Sequence, residues 1–245
     1  MSETHHITPY KDTETSKKRQ VTKMFDSIAP YYDFLNRFLS LGIDVRWRKK
    51  AIKEMASVVQ ENILDVATGT ADLAIESAKK LKVKKVVGLD ISAEMLKLGE
   101  KKIAKLGLQE TIELVEGDSE NLPYADASFD ITMSAFGVRN FENLTVGLTE
   151  MYRVLTPGGN IMVLEFSKPK SFPLKQIFGV YFKYFLPMVG KLKSKDPKAY
   201  TYLYESVQLF PDYEKFTNIL KKIGFKNTRF IPLTGGICTI YVGTK

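Results

Sequence analysis

The sequence predicts an α/β domain built on a mostly parallel β-sheet, and two observations support this prediction. The length of 245 residues, 44% of them hydrophobic, is that of one large domain with a sizeable core. Strands that alternate with helices form parallel sheets with crossover helices. Such an alternation is found here, since segments of helical character separate apolar runs at residues 63–67, 86–89, 112–115, 131–135 and 161–166.

The remaining elements are predicted in chain order. Residues 1–20 are polar and charged and are expected to form a flexible arm, which precedes a single domain over residues 21–245. Ser92 is a predicted helix cap, and Pro30 is expected to break the first helical run. The domain divides into a helical preface (21–56), a cofactor-binding core (57–170), a substrate lid (171–210), and a closing helix with two strands (211–245).

Composition narrows the class of protein. The net charge of +8 favours an anionic partner surface, without choosing between lipid and nucleic acid. The single cysteine, Cys238, cannot form an internal disulfide, and the opening segment lacks the apolar region of a secretory signal, so a cytoplasmic protein is expected. The only histidines, His5 and His6, lie in that segment, so no metal site is expected.

The turn after the first strand is the first candidate binding site. It contains Ala67, Gly69 and Ala71, whose small size lets a ligand approach the backbone. In an open parallel sheet this turn lies where ligands bind, and the N–H groups of the following helix favour an anion. A tight turn without functional importance is the alternative interpretation.

Acidic residues follow the next two strands. Asp90 follows Gly69 by 21 positions, close to the spacing at which a carboxylate binds a ribose diol. Asp118, followed by Ser119, ends the third strand, where its carboxylate is placed to accept a hydrogen bond from an adenine amino group. Three successive strand ends therefore predict one adenosine-shaped site.

The type of nucleoside follows from the same turn. A dinucleotide site normally has the pattern G-x-G-x-x-G, whereas this turn has one glycine followed by Asp72, whose carboxylate is expected to repel pyrophosphate. S-adenosylmethionine has no phosphate, and its ammonium and sulfonium groups suit acidic neighbours. S-adenosylmethionine is therefore predicted rather than NAD.

The chain also resembles a known family, the ubiquinone/menaquinone biosynthesis C-methyltransferases. The resemblance covers most of the chain from Phe25 onwards and implies a class I S-adenosylmethionine-dependent methyltransferase (Rossmann-like) fold. It is most specific in the segments at 136–140 (FGVRN) and 164–169 (LEFSKP). The predicted cofactor-binding residues are Asp65, Gly69, Thr70, Asp72, Asp90, Asp118 and Ser119.

The resemblance also implies a reaction. The family transfers a methyl group to a ring carbon of a polyprenylated quinol, giving menaquinol from demethylmenaquinol in the closest members. Such a carbon becomes nucleophilic when a neighbouring hydroxyl loses its proton. Arg139 and Asn140 follow the fourth strand and are the predicted catalytic residues, which would bind the phenolate or a water on its proton path. A structural arginine is the alternative interpretation.

Partners and competing functions complete these expectations. A prenylated substrate resides in the bilayer, so transient contact with an anionic membrane surface is expected, at the inner face of the cell membrane. A homodimer is left open. Methylation of a polyprenyl benzoquinol in ubiquinone biosynthesis, methylation of RNA and a catalytically silent scaffold are the alternatives. The chain lacks a recognisable RNA-binding motif, so no nucleic-acid partner is expected.

Overall fold

The structure is a computed structural model, and it describes residues 7–10, 14–57, 61–181 and 197–245. The two histidines, parts of the expected arm and residues 182–196 of the expected lid lie outside the described residues. Within the described ranges, no helix is both long enough and apolar enough to cross a membrane.

Two helices precede the sheet. They are α1 (Lys17–Leu39) and α2 (Ile43–Glu54). Helix α1 begins inside the expected arm of residues 1–20, so that boundary was wrong. Helix α1 also continues through Pro30, contrary to the prediction that Pro30 breaks it. A proline removes one backbone donor, and the packing of the apolar face of α1 outweighs this local cost.

Seven strands form one sheet. The order β3-β2-β1-β4-β5-β7-β6 is parallel from β3 to β5, and β7 and β6 are antiparallel to their neighbours. The predicted mostly parallel α/β class is confirmed. The strands are β1 (Asn62–Val66), β2 (Lys85–Asp90), β3 (Ile112–Glu116), β4 (Phe129–Ala135), β5 (Leu155–Phe166), β6 (Lys226–Leu233) and β7 (Cys238–Thr244).

The remaining helices pack around the sheet and over its crevice. Ser92 caps α4, as predicted, because its Oγ accepts a hydrogen bond from the Met95 amide at 3.3 Å. The helices are α3 (Asp72–Lys80), α4 (Ala93–Leu106), α5 (Leu144–Arg153), α6 (Leu174–Val180), α7 (Pro197–Leu209) and α8 (Glu214–Ile223), with short 3-10 helices at Val138–Asn140 and Thr234–Gly236.

The chain first winds outward from β1 to β3 and then returns to add β4 on the other side of β1. This reversal opens a crevice at the carboxyl ends of the central strands, where ligands bind in open α/β sheets. A cluster of apolar side chains packs α1 against α6 and α7, and thereby holds these helices over the crevice. Its buried members are Val21, Met24, Phe178, Ala199, Tyr202 and Val207.

Candidate active site

The turn from β1 to α3 has an unusual backbone. Ala67, Gly69 and Ala71 all have positive φ angles, of 57°, 58° and 63°. Alanine seldom adopts this left-handed conformation, so the surrounding contacts must hold the turn in place. One of them is the carboxylate of Asp90, which accepts hydrogen bonds from the amides of Gly69 at 2.7 Å and Ser92 at 2.9 Å. Asp90 therefore joins the ends of β1 and β2.

Asp65 is completely buried at the end of β1. Its Oδ2 accepts hydrogen bonds from the hydroxyl of Thr68 at 2.6 Å and the amide of Ala74 at 3.1 Å. Its Oδ1 has no hydrogen-bond partner among the residues that the structure describes. Burial raises the pKa of Asp65 to about 7. A cation placed beside Oδ1 would compensate this buried carboxylate.

The carboxylate of Asp118, the predicted adenine acceptor, already has partners within the protein. Its Oδ2 lies 2.6 Å from the ammonium of Lys18 on α1, and its Oδ1 accepts a hydrogen bond from the Glu120 amide at 2.9 Å. The predicted adenine acceptor is thus covered by α1. Contact with an adenine amino group would have to replace Lys18 or share the carboxylate with it.

Asp72 is surrounded by cations. Its carboxylate contacts Lys102, Arg37 at 2.8 Å and Arg48 at 3.5 Å. Although burial opposes this, Arg48 and Lys102 hold the pKa of Asp72 below its usual value. The expectation that Asp72 repels pyrophosphate is therefore wrong, because its negative charge is already neutralised by partners far away in the sequence.

The residues predicted to bind the cofactor nevertheless lie together. All seven line one cavity of about 910 Å³, counting the space at its mouth, which we call the cofactor cavity. Helix α1 forms the roof of the cofactor cavity and contributes Lys18, Val21, Phe25 and Tyr32 to its lining.

Polar contacts fasten this roof to the loops below. The Asp26 carboxylate accepts a hydrogen bond from the Ser92 hydroxyl at 2.6 Å. The Asp33 carboxylate accepts one from the Thr70 hydroxyl at 2.6 Å and another from the Lys102 ammonium at 3.0 Å. Together with the Lys18 contact to Asp118, these bonds hold α1 across the ends of β1, β2 and β3.

A second and larger cavity lies next to the cofactor cavity. It measures about 1500 Å³ with its mouth, is enclosed by α1, α2, α6 and α7, and is called here the apolar cavity. Three aromatic rings stand together on its wall, where Trp47, Phe136 and Phe166 have centroids 4.7 to 6.3 Å apart. The apolar cavity meets the cofactor cavity at residues that line both, which are Phe25, Tyr32, Arg48, Phe136 and Asn140.

Arg139 and Asn140 lie at this junction. Both line the apolar cavity, and Asn140 also lines the cofactor cavity. The guanidinium of Arg139 pairs with the buried carboxylate of Glu165 at 2.7 Å. In the described part of the chain, Nε of Arg139 and Oδ1 of Asn140 have no hydrogen-bond partner. One buried donor and one buried acceptor are therefore available to a substrate.

Sequence reasoning missed several residues of this site. Tyr32, Arg48 and Glu165 lie in the part of the chain from Phe25 onwards that the family resemblance covers, but they received no role. The helical preface was expected to form part of a substrate lid, but the polar contacts of α1 with the strand ends were not predicted, although a signal was present. The polar residues Lys18, Asp26, Asp33 and Arg37 fall on one side of a helix, and such a stripe indicates a second polar contact surface.

The cofactor cavity fits a cationic nucleoside. Two buried oxygens without partners in the described residues belong to Asp65 and Asn140, which line the cavity together with Asp90 and Asp118. These acceptors suit the cationic groups of a sulfonium nucleoside. The fold and this site define a class I S-adenosylmethionine-dependent methyltransferase.

Comparisons with known proteins give the family. The model of the ubiE/COQ5 methyltransferase family matches residues 13–245. A demethylmenaquinone methyltransferase from Bacteroides fragilis is 46% identical over 239 residues, which cover 98% of this chain and 97% of the relative. The ubiquinone/menaquinone biosynthesis C-methyltransferase UbiE of Geotalea daltonii is 45% identical over 232 residues, with coverages of 94% and 98%. The chain therefore belongs to the ubiE/COQ5 methyltransferase family.

Solved structures support the fold. A putative S-adenosyl-L-methionine-dependent methyltransferase from Methanococcus maripaludis superposes with a TM-score of 0.63 at 22% identity, covering 91% of this chain and 94% of the other. Phosphoethanolamine N-methyltransferase 2 of Haemonchus contortus, solved with S-adenosyl-L-methionine, gives a TM-score of 0.60 at 15% identity, covering 87% and 59%. The resemblance inferred from the sequence is confirmed for both family and fold.

Proposed function

We propose that this protein transfers the methyl group of S-adenosylmethionine to a ring carbon of demethylmenaquinol, giving menaquinol. The relative from Bacteroides fragilis, which is 46% identical, carries the name of this activity. The structural observation that supports the proposal best is the apolar cavity, which lies beside the cofactor cavity and shares lining residues with it. A quinol ring at the junction can face the methyl donor while its isoprenoid chain occupies apolar space.

The residues at the junction suit this chemistry. When bound, S-adenosylmethionine supplies an electrophilic methyl group on a sulfonium. Asn140 lines both cavities, so its Oδ1, which has no partner among the described residues, is placed to accept a hydrogen bond from the quinol hydroxyl or to hold a water through which the hydroxyl proton leaves to solvent. The guanidinium of Arg139 is placed to stabilise the resulting phenolate through Nε. These roles for Arg139 and Asn140 are part of the proposal.

The walls of the apolar cavity suit a flat ring. Trp47 is held in place because its Nε1 donates a hydrogen bond to the Thr234 hydroxyl at 2.8 Å. Its ring packs against Phe166 with an interplanar angle of 89°, and Phe136 packs against Phe166 at 35°. Aromatic surfaces at these angles pack well against a naphthoquinol and exclude water from the reacting carbon.

The mouth of the apolar cavity supports contact with a membrane. Leu41 and Ile177 line the cavity and yet are 85% and 60% exposed. Phe172 and Val180, on the segment that includes α6, are 81% and 60% exposed. We propose that this rim docks on the anionic inner face of the cell membrane, attracted by the net charge of +8, and that the protein is otherwise cytoplasmic.

Vesicle sedimentation tests the docking. Replacing both Leu41 and Ile177 by serine is expected to weaken binding to vesicles that contain anionic lipid at low salt. Leu106→Ser, which changes another exposed leucine at 44% exposure, is the matched control and is expected to have no effect. Equal sedimentation of the two variants would contradict the docking surface. The homodimer stays a prediction, to be tested by sedimentation velocity.

Methyl transfer is tested with purified protein and S-adenosylmethionine carrying a radiolabelled methyl group. Label is expected in demethylmenaquinol. A polyprenyl benzoquinol and RNA are offered in parallel, since methylation of a ubiquinone precursor or of RNA is the alternative. Label in RNA alone, or in none of the three, would contradict the proposal, and label in the benzoquinol alone would move the function to ubiquinone biosynthesis.

A further inference from the structure

Tyr202 on α7 has a buried hydroxyl that the roles given above do not use. The residue is 3% exposed and lines the apolar cavity, where Arg139 and Asn140 also lie. Its OH has no hydrogen-bond partner in the described ranges of the chain. An unpartnered hydroxyl in the interior costs free energy, so its presence on a cavity wall indicates a partner that arrives with the ligand.

The surroundings of Tyr202 make this hydroxyl a donor. Burial raises the pKa of Tyr202, so the hydroxyl keeps its proton at neutral pH. The ring is fixed by packing among Val21, Met24 and Phe178, which belong to the same apolar cluster. A fixed donor in an apolar wall is suited to bind a carbonyl or hydroxyl oxygen of a ligand that is otherwise apolar.

The placement of Tyr202 indicates which oxygen of the quinol its hydroxyl would bind. A quinol has two oxygens on opposite sides of its ring, and only the one beside the reacting carbon has to lose its proton. Asn140 lines both cavities and is therefore near the methyl donor, whereas Tyr202 appears in the lining of the apolar cavity and, within the described chain, not in that of the cofactor cavity. Asn140 is therefore the residue placed at the quinol oxygen beside the methyl donor, which leaves the other oxygen for Tyr202.

We propose that the Tyr202 hydroxyl donates a hydrogen bond to the quinol oxygen opposite the one that ionises, and so fixes the orientation of the ring. This inference rests on the proposed function, because it assigns the second oxygen of the same substrate. Two-point binding orients the ring, since Arg139 and Asn140 bind one oxygen and Tyr202 the other. Specificity for a ring with two para oxygens follows from this arrangement.

The test compares Tyr202→Phe with the unchanged protein on two substrates. One is demethylmenaquinol, and the other is a prenylated naphthol that lacks the second hydroxyl. Tyr202→Phe is expected to lower kcat/KM for demethylmenaquinol by about fivefold, the factor that a lost hydrogen bond of ordinary strength gives. It is expected to leave kcat/KM for the naphthol unchanged. Equal kcat/KM of both proteins on demethylmenaquinol, or an equal loss on both substrates, would overturn the proposal.

Two further measurements separate binding from folding. The melting temperature of Tyr202→Phe is expected to be unchanged or higher, since the variant removes an unpartnered buried hydroxyl. A lower melting temperature together with the loss of activity would indicate a structural role and refute the proposal. Tyr204→Phe is the matched control, because Tyr204 lies on the same helix and, in the described chain, lines neither cavity.

Menaquinone binding keeps the outcome separate from that of the proposed function. Trp47, the single tryptophan of the chain, lines the apolar cavity, so menaquinone is expected to quench its fluorescence. Tyr202→Phe is expected to raise the Kd for menaquinone, and an unchanged Kd would refute the role of Tyr202. If the unchanged protein binds menaquinone but transfers no methyl group to demethylmenaquinol, the proposed function fails while Tyr202 is still judged by this Kd.

Discussion

Arg139 and Glu165 form a buried ion pair, with Nη1 of the guanidinium 2.7 Å from Oε1 of the carboxylate. The side chains are 7% and 0% exposed, and Glu165 also accepts a hydrogen bond from the Phe166 amide at 2.9 Å. The end of β5 therefore fixes the guanidinium that faces the apolar cavity. The position of the predicted catalytic arginine depends on a carboxylate from a different strand.

Removing Glu165 is expected to destabilise the protein. Glu165→Ala leaves a buried guanidinium without its counter-charge, which typically costs about 3–5 kcal/mol of unfolding free energy. Denaturant titration measures this value. Glu113→Gln, which breaks the exposed pair with Lys85, is the control and should cost less than about 1 kcal/mol. Similar losses in the two variants would contradict a structural pair at the junction.

The affinity for S-adenosylmethionine is expected to rise with pH through the pKa of Asp65. Burial places that pKa at about 7 in the free protein, and a bound cation favours the ionised carboxylate. Below pH 7 binding must therefore release a proton, and affinity falls by up to about tenfold per pH unit. Calorimetry between about pH 5.5 and pH 8 measures how the affinity for S-adenosylmethionine changes with pH.

Asp65→Asn serves as the control for this titration. It removes the ionisable group and should flatten the part of the profile that Asp65 causes, while any ionisation of the ligand itself remains. If the profiles of the two proteins have the same slope, Asp65 does not face the cationic part of the cofactor.

Loosening the roof is expected to speed the release of the cofactor product. Asp33→Ala removes the contacts of α1 with Thr70 at 2.6 Å and Lys102 at 3.0 Å. Losing one or two hydrogen bonds of ordinary strength should raise the dissociation rate by about three- to tenfold. Stopped-flow displacement of S-adenosylhomocysteine measures this rate. Arg19→Ala, an exposed change on the same helix, should leave it unaltered.

Gly137 is expected to tolerate no side chain. A Cβ there would lie 2.7 Å from the Cβ of Ala67 and 2.8 Å from the Ser134 hydroxyl, so Gly137→Ala would force β1 and β4 apart. We expect a cost of about 1–3 kcal/mol in thermal or denaturant unfolding. In Gly179→Ala the new Cβ would meet no atom of the described structure within 4 Å, and this control should be neutral or stabilising. Equal stabilities would contradict the close approach.

The sequence predicted the lower wall of the site better than its roof. Asp65, Gly69 and Asp90 follow strands whose parallel order was predictable, and parallel strands bring their carboxyl ends to one edge. The periodicity of residues 63–67 and 86–89 was therefore enough to place them together. The structure brings Asp90 and Gly69 together, since the Asp90 carboxylate accepts a hydrogen bond from the Gly69 amide, and the binding of a ribose diol by Asp90 stays a prediction.

The roof depends on contacts that local patterns do not encode. Lys18 meets Asp118 across 100 positions, and Arg37 meets Asp72 across 35. Such pairs arise only when the direction of α1 over the sheet is known. Tyr202 could not be assigned for the same reason, because an aromatic-rich helix gives no sign of which hydroxyl is left without a partner.

The shared wall between the two cavities has a consequence for inhibition. The two cavities are adjacent, because the same residues border both, among them Phe25, Tyr32, Phe136 and Asn140. A single compound that couples an adenosine-like part to a prenylated aromatic part through a short linker would occupy both at once. Because the second part binds at high effective concentration, such a bisubstrate inhibitor would exceed the affinity of either fragment.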